Sequence, residues 1–346
     1  MHKALFGGSL LALAGLMSGS ALAAEKMMVQ AGAPVPYLGF LPVYVAEHAG
    51  FFKEEGLDVQ MNYASNAGMA AQLVAAGNGD LAVNTFEPIA QGVEKGMKTK
   101  IFLQTNESML YYVGIPQDSG IKEISDLKGK KIGVSNLGSS ALPIIKSMLD
   151  ESGVPHSSST FLPVGVGGQA MAALNTGKVD ALALWDGIYF GLERGGAKLN
   201  YLYHPTLHKF GNFGYMTSDQ ALQTKKDGLC AFGRAVGKAN YFLHENPRAV
   251  VPMYWESNPS ARGNGDEDAF NKTLDEITKM VATYGSEDTF GAIDKQGFTA
   301  YLSMLKEQGY ISKPLSVEDV ATDALTACAN EFDKDAVREQ ARAWKN

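Results

Sequence analysis

The 346-residue chain carries 30 Lys and Arg against 37 Asp and Glu, a formal charge of −7, and 45% of its residues are apolar. An acidic chain without a basic cluster excludes nucleic acid as a partner, and this apolar fraction excludes a disordered chain. The length exceeds what one small core needs, so two domains or lobes are expected.

Residues 1–23 read as a cleavable export leader. His2 and Lys3 open it, Ala4 to Met17 are apolar or small, and Ala21-Leu22-Ala23 closes it with a small-x-small pattern. About a dozen apolar residues are too few to cross a ~30 Å hydrocarbon core, which disfavours the alternative of a membrane anchor. No Cys follows the leader, and no later stretch is apolar enough to span a bilayer, so a soluble periplasmic chain is expected.

The mature chain opens with a strand at Lys26–Gln30, a loop at Pro34–Phe40 and a helix over 41–52 that stops near Gly50. Leu57 to Tyr63 alternates apolar and polar residues, the period of a strand. Residues 67–96 and 167–196 then resemble each other at an offset of one hundred. Gly68, Ala70, Gly77, Asp80 and Gly96 match Gly168, Ala170, Gly177, Asp180 and Gly196. Each copy runs from a glycine-rich loop through an alanine-rich helix to a short apolar strand, 81–83 or 181–184, and a second helix. Such repetition indicates duplicated supersecondary units. Between the copies, 130–134 reads as a strand, Gly138-Ser139-Ser140 starts a helix running to Asp150, and 161–164 reads as the next strand. Alternating strands and helices imply parallel sheets covered on both faces.

Beyond Gly211 a return strand at 213–217 precedes helices over 219–246, 247–257, 266–284, 294–307 and 317–344. Their apolar positions recur at three and four, as in Phe270, Leu274, Ile277 and Val281, and the tail is expected to pack around the first lobe. Short crossings between lobes are expected near Val113–Pro116 and Gly211–Thr217. This divides the chain into lobe 1 (24–114 and 216–346, with a helical C-terminal extension) and lobe 2 (115–215). Cys230 and Cys328 both fall in helical stretches. In an exported chain they form a candidate disulfide; the alternative is two buried thiols. Neither cysteine has a nearby His pattern, so no metal site is expected, and no cofactor motif appears.

Four segments carry a family resemblance: Leu38-Gly39-Phe40-Leu41-Pro42-Val43-Tyr44-Val45-Ala46, Gly50-Phe51-Phe52-Lys53-Glu54-Glu55-Gly56-Leu57-Asp58-Val59, Leu73 to Asp80, and Ile124 to Val134. From about residue 27 to 250 the chain resembles the periplasmic substrate-binding proteins of ABC importers, in the sulfonate/taurine and thiamine-pyrimidine-precursor group. The resemblance implies the type II periplasmic-binding fold: two α/β lobes, each a mostly parallel sheet flanked by helices, closing on a small-molecule ligand. It also implies a monomer that docks on an inner-membrane permease with its ATPase.

In open parallel sheets, ligands sit beyond the carboxyl ends of the strands. That rule selects Tyr37, Phe40 and Tyr44 after the first strand, Asn66 and Gly68 after the second, and Thr85, Phe86 and Glu87 after 81–83. In lobe 2 it selects Ser139, Ser140, Gly168, Trp185, Asp186 and Tyr189. Gly68, Ser139 and Gly168 stand at helix starts, where free N–H groups receive ligand oxygens, although Ser139 and Ser140 equally suit simple N-caps. The aromatics suit stacking walls or an ordinary core. Glu87 and Asp186 suit either ligand N–H groups or the dipole of the next helix.

No Arg precedes Arg194, which disfavours a strongly anionic ligand, because Arg is the usual fork for sulfonate, carboxylate and phosphate. Aromatic walls with two carboxylates favour a flat, nitrogen-containing ligand; a sulfonate is the alternative, and a ligand-sensing module uses the same cleft. Eukaryotic relatives of the resembled group make a thiamine pyrimidine precursor with a cysteine-rich motif that is missing here. No Ser-His-Asp or Cys-His order appears either, so an enzyme is not expected.

Overall fold

A computed structural model describes residues 24–108, 111–208, 210–284 and 289–345; the leader lies outside them. The first half-sheet is laid down by β1 (Glu25–Ala31), α1 (Leu41–His48), α2 (Phe51–Glu54), β2 (Leu57–Tyr63), α3 (Ala67–Ala75), β3 (Leu81–Thr85), α4 (Glu87–Glu94) and β4 (Thr99–Gln104). The second consists of β5 (Tyr111–Pro116), β6 (Lys131–Val134), α5 (Ala141–Glu151), β7 (Thr160–Pro163), α6 (Gly168–Asn175), β8 (Ala181–Trp185), α7 (Asp186–Arg194) and β9 (Leu199–Leu202). The chain then returns through β10 (Phe213–Ser218) to the first sheet. A tail follows: α8 (Asp219–Thr224), α9 (Lys226–Glu245), α10 (Pro247–Ser257), α11 (Glu267–Val281), α12 (Lys295–Glu307), α13 (Val317–Val320), α14 (Thr326–Ala329) and α15 (Lys334–Ala343).

The two five-stranded sheets have the same plan, β2-β1-β3-β10-β4 and β7-β6-β8-β5-β9. In each, three parallel strands are joined by an antiparallel one, β10 or β5. The duplication read from the sequence therefore extends past the repeat to the flanking strands. The repeated residues have structural work. Asp80 Oδ2 accepts the Met28 N–H at 2.7 Å, and Asp180 Oδ2 accepts the Lys131 N–H at 2.8 Å. Each carboxylate thus ties the start of one strand to its parallel neighbour. Gly77 and Gly177 end their helices with φ of 78° and 69°, a conformation that a side chain disfavours.

Both central strands are buried on both faces, so their sequences run apolar without alternation: all five residues of β3 and the first four of β8 are buried. The segment at 111–116 is strand β5 inside the second sheet, so the first crossing precedes it instead of occupying Val113–Pro116. Likewise 213–217 is β10, and that crossing precedes Phe213. The tail differs from a lobe 1 coat. Helix α9 packs on α1, α14 and α15 of the first lobe. Helix α12 instead lies across both lobes: Phe298 meets Phe86 of lobe 1 at 5.2 Å between centroids, and just past its end Gln308 Nε2 donates to Asp150 Oδ2 of α5 at 3.1 Å. Arg194 of α7 pairs with the buried Glu276 of α11. The amphipathic pattern identified the buried faces but not the elements that cover them. The single helix expected over 317–344 is three short ones, each with its own cap or turn. Among the described residues no helix is long and apolar enough to cross a membrane.

Cys230 of α9 and Cys328 of α14 are bridged, closing a loop of 98 residues. Loop-closure entropy for that length corresponds to about 4.7 kcal/mol. Replacing both cysteines with Ser is expected to lower the stability of the oxidised protein by about 2–5 kcal/mol in urea denaturation. An unchanged midpoint and slope would contradict the bridge.

Candidate functional site

The carboxyl ends of both sheets face each other across a cavity of about 250 Å³. Lobe 1 lines it with the loop after β1 (Gly32, Ala33, Pro34, Tyr37), the turn after β2 (Ser65, Asn66, Ala67), Thr85 at the end of β3 and Phe213 at the start of β10. Lobe 2 contributes Tyr111 at the start of β5, the turn after β6 (Ser135, Asn136, Gly138, Ser139, Ser140), the turn after β7 (Gly165, Val166, Gln169) and Trp185 at the end of β8. Antiparallel strands reach this edge with their first residue and parallel strands with their last. The volume lies just below the ~300–1,000 Å³ typical of small-molecule sites, which restricts the occupant to a compact molecule.

Aromatic rings form one wall. Trp185 meets Tyr37 at 6.0 Å and Tyr111 at 6.2 Å, both edge-on, and Tyr37 meets Phe213 at 6.5 Å. The Trp185 indole N–H is buried and has no hydrogen-bond acceptor. Tyr37 is wedged between lobes: a Cβ placed on Gly187 of lobe 2 would come within 2.7 Å of its ring. Only glycine at 187 lets α7 approach this closely. The lobes also touch through Thr85 Oγ1 and Ser140 Oγ, 2.7 Å apart and buried. Polar side chains elsewhere in the lining are hydroxyls and carboxamides, and among the described residues no Asp, Glu, Lys, Arg or His lines the cavity.

Of the residues selected from sequence, Tyr37, Asn66, Thr85, Ser139, Ser140 and Trp185 come together around this gap. The others do not line it, and each has a structural occupation. Phe40 is fully buried beneath Tyr37, with ring centroids 4.5 Å apart. Tyr44 hydrogen-bonds the Tyr63 hydroxyl at 3.2 Å within lobe 1. Phe86 packs under α12. Tyr189 pins β5 to β8: its hydroxyl accepts the Gly114 and Leu184 N–H groups and donates to the Leu182 carbonyl at 2.6 Å. Gly68 and Gly168 sit in the first turns of α3 and α6, set back from the lining residues beside them.

Glu87 and Asp186 are the larger correction, since neither carboxylate lines the cavity. Glu87 is buried, and Asn212 Nδ2 donates to its Oε1 at 2.6 Å. Burial raises its pKa, while neighbouring Tyr301, Asn212 and Ser140 act in the opposite direction. Asp186 accepts the Gly187 N–H at 2.6 Å in the first turn of α7, and burial raises its pKa from 3.8 to about 7. Both begin helices one residue or more past a strand tip, where the chain has turned away from the gap.

Tyr111, Phe213, Ser135, Asn136 and Gln169 were not selected from sequence. Tyr111 and Phe213 begin antiparallel strands, which the strand-end rule passes over. For Asn136 a signal existed: Ser135-Asn136 repeats the Ser65-Asn66 dipeptide at another strand end.

A family model described as NMT1/THI5 like matches residues 38–250. A formylaminopyrimidine-binding protein of Halalkalibacterium halodurans is 22% identical over 285 residues, 80% of this chain and 84% of that protein. A 4-amino-5-hydroxymethyl-2-methylpyrimidine phosphate synthase of Saccharomyces cerevisiae is 31% identical over 105 residues, only 29% of either chain. Among solved structures, the alkanesulfonate-binding protein SsuA of Xanthomonas axonopodis pv. citri, bound to MOPS, is similar with a TM-score of 0.67 and 16% identity, covering 87% of this chain and 99% of that one. The last likeness shows the fold, the two-lobed α/β architecture of periplasmic binding proteins.

Asp186 yields a pH test. Its folded pKa lies above the ordinary value, so the folded state binds more protons and this group's contribution to stability falls as pH rises from about 4 to about 7. Asp186→Asn keeps an acceptor for Gly187 without the charge. The variant is expected to match the wild type at pH 4 and to exceed it by about 2–4 kcal/mol at pH 8 in urea denaturation. Equal stabilities at pH 8 would refute the assignment.

Proposed function

We propose that this chain, which belongs to the NMT1/THI5-like family, is the extracytoplasmic solute-binding component of an ABC importer and carries a small, flat, nitrogen-containing heteroaromatic of the pyrimidine class. The observation that carries this reading is the cavity between the two lobes, walled by Trp185, Tyr37, Tyr111 and Phe213 and rimmed by neutral hydrogen-bonding groups. Aromatic faces suit a planar ring, and hydroxyls with carboxamides suit its ring nitrogens and substituents. The name of the Halalkalibacterium halodurans relative points to the same ligand class. A sulfonate fits less well, because among the described residues no Arg or Lys lines the cavity to pair with it.

In this reading the leader sends the chain to the periplasm, where it acts as a monomer. Ligand enters an open, hydrated cleft and touches both lobes only when they close. Closure is favoured because only the closed form makes both sets of contacts. The Thr85–Ser140 contact and the Tyr37–Gly187 approach belong to that closed form. The closed pair of lobes is then what the permease and its ATPase engage. Trp185 is assigned to stacking. Glu87 and Asp186 are assigned to the wall behind the ligand.

Two measurements test this. A thermal-shift screen of the mature protein over pyrimidines, sulfonates, amines and aromatic acids is expected to select pyrimidines, and small-angle scattering is expected to show compaction with the selected ligand. Selection of sulfonates, or an unchanged radius at saturation, would count against the proposal. Trp185→Ala is expected to weaken pyrimidine binding about 10-fold or more, as base–aromatic stacking does elsewhere, when followed by calorimetry.

A further inference from the structure

Each lobe presents a Ser-Asn dipeptide to the cavity. Ser65-Asn66 follows β2 in lobe 1, Ser135-Asn136 follows β6 in lobe 2, and all four residues line the cavity. In both pairs the carboxamide oxygen is already used. Asn66 Oδ1 accepts the Met69 N–H at 2.9 Å, and Asn136 Oδ1 accepts the Gly138 N–H at 3.0 Å. These bonds fix which end of each amide remains: the NH₂ group, a donor. In each pair Nδ2 stands 3.4 Å from the preceding serine hydroxyl. One of its two hydrogens faces that oxygen at most, so each lobe retains an N–H for the ligand.

The same bonds argue against an anion. Helix N-termini attract anions through free N–H groups; at the start of α3 one of these, the Met69 N–H, is taken by Asn66, and at the start of α5 the Ala141 N–H is taken by Ser139 Oγ at 3.2 Å, which weakens the pull of these two helix starts on an anion. Among the described residues no cationic side chain lines the cavity. A phosphate ester would bring about −1.5 to −2 charges against a lining that holds no Arg, Lys or His among the described residues, a desolvation cost that a neutral ligand avoids.

We infer that the ligand is bound as an uncharged, unphosphorylated molecule with hydrogen-bond acceptors on two opposite edges, held by the Asn66 carboxamide of one lobe and the Asn136 carboxamide of the other. The inference rests on the pyrimidine reading above and adds that the importer takes the free base and rejects its phosphate. Because each donor comes from a different lobe, acceptor placement on the ring also decides whether closure is complete.

The experiment is calorimetry on the mature protein with 4-amino-5-hydroxymethyl-2-methylpyrimidine and its phosphate monoester, at low and high sodium chloride. Asn66→Ser and Asn136→Ser retain an N-cap-competent side chain and remove the NH₂ donor. The expected result is free-base binding that is insensitive to salt, at least 100-fold weaker binding of the ester, and about 10-fold loss in each Ser variant. Thermal melting of the ligand-free variants reports whether they are folded. Wild-type binding with folded Ser variants of unchanged affinity, or ester binding as tight as free-base binding, overturns the inference and leaves the pyrimidine reading standing. Failure of the wild type to bind either probe overturns that reading and the inference with it.

Discussion

The architecture follows from one constraint: a parallel strand buried on both faces must send all its chemistry out of its ends. In β3 and β8 the side chains of both faces are consumed by the helices above and below. What remains for recognition is the edge where the parallel strands finish and the antiparallel β5 and β10 begin. Two such edges, set against each other, make a cavity of about 250 Å³ without any loop being long. Asp80 and Asp180 support this arrangement from the opposite end, each fixing the start of a neighbouring strand through one backbone N–H. The residues that make the two halves look alike in sequence are thus concerned with holding strands in register. At the equivalent strand ends, Thr85 and Trp185, the halves differ, and both residues face the cavity.

The same logic explains how much of the site was legible beforehand. A strand tip can be located from an apolar run followed by polar or glycine residues, and the residues at or just beyond it reach the gap: Thr85, Trp185, Asn66, Ser139 and Ser140. Resolution fails within the first helical turn. Phe86 follows Thr85 and Asp186 follows Trp185, yet both turn into the lobe as soon as the helix starts, and no local pattern marks which residue is the last to face outward. Tyr37 and Phe40 illustrate the same limit in a loop, since one lines the cavity and the other lies under it as core. The bridging tail was illegible for a different reason. The 3.6-residue pattern of α12 states that one face is buried, while Phe86 and Asp150, the residues it meets in separate lobes, lie more than 140 positions away.

Removing Glu87 and Asp186 from the lining changes the electrostatic character of the site. A cavity rimmed by two carboxylates would recruit a cationic amine. With both carboxyls behind the wall, and the Asp186 pKa raised to about 7, the gap is governed by neutral dipoles and ring faces. The absence of Arg before residue 194 fits the same picture. Without charge pairs, affinity rests on shape and on how many neutral hydrogen bonds are made at once, which makes closure of the lobes more important than attraction over a distance.

Closure is also where the tail enters the energetics. The Arg194–Glu276 pair and the Gln308–Asp150 hydrogen bond join the C-terminal extension to lobe 2, while α9 and the Cys230–Cys328 bridge root that extension in lobe 1. A pure hinge would rely on the two strand crossings alone. In the proposed opening, a rotation of lobe 2 would pull on α7 and α5 and expose Glu276, a carboxylate buried against its partner. Once apart, both charges return to water, which offsets much of the lost pairing and keeps the opening cost modest. In the proposed closure a ligand then has only to make differential contacts with Asn66 and Asn136, on opposite lobes, to shift the balance. In the proposed motion the tail, held by both lobes, opposes their parting, and the cavity residues select the solute that favours closure.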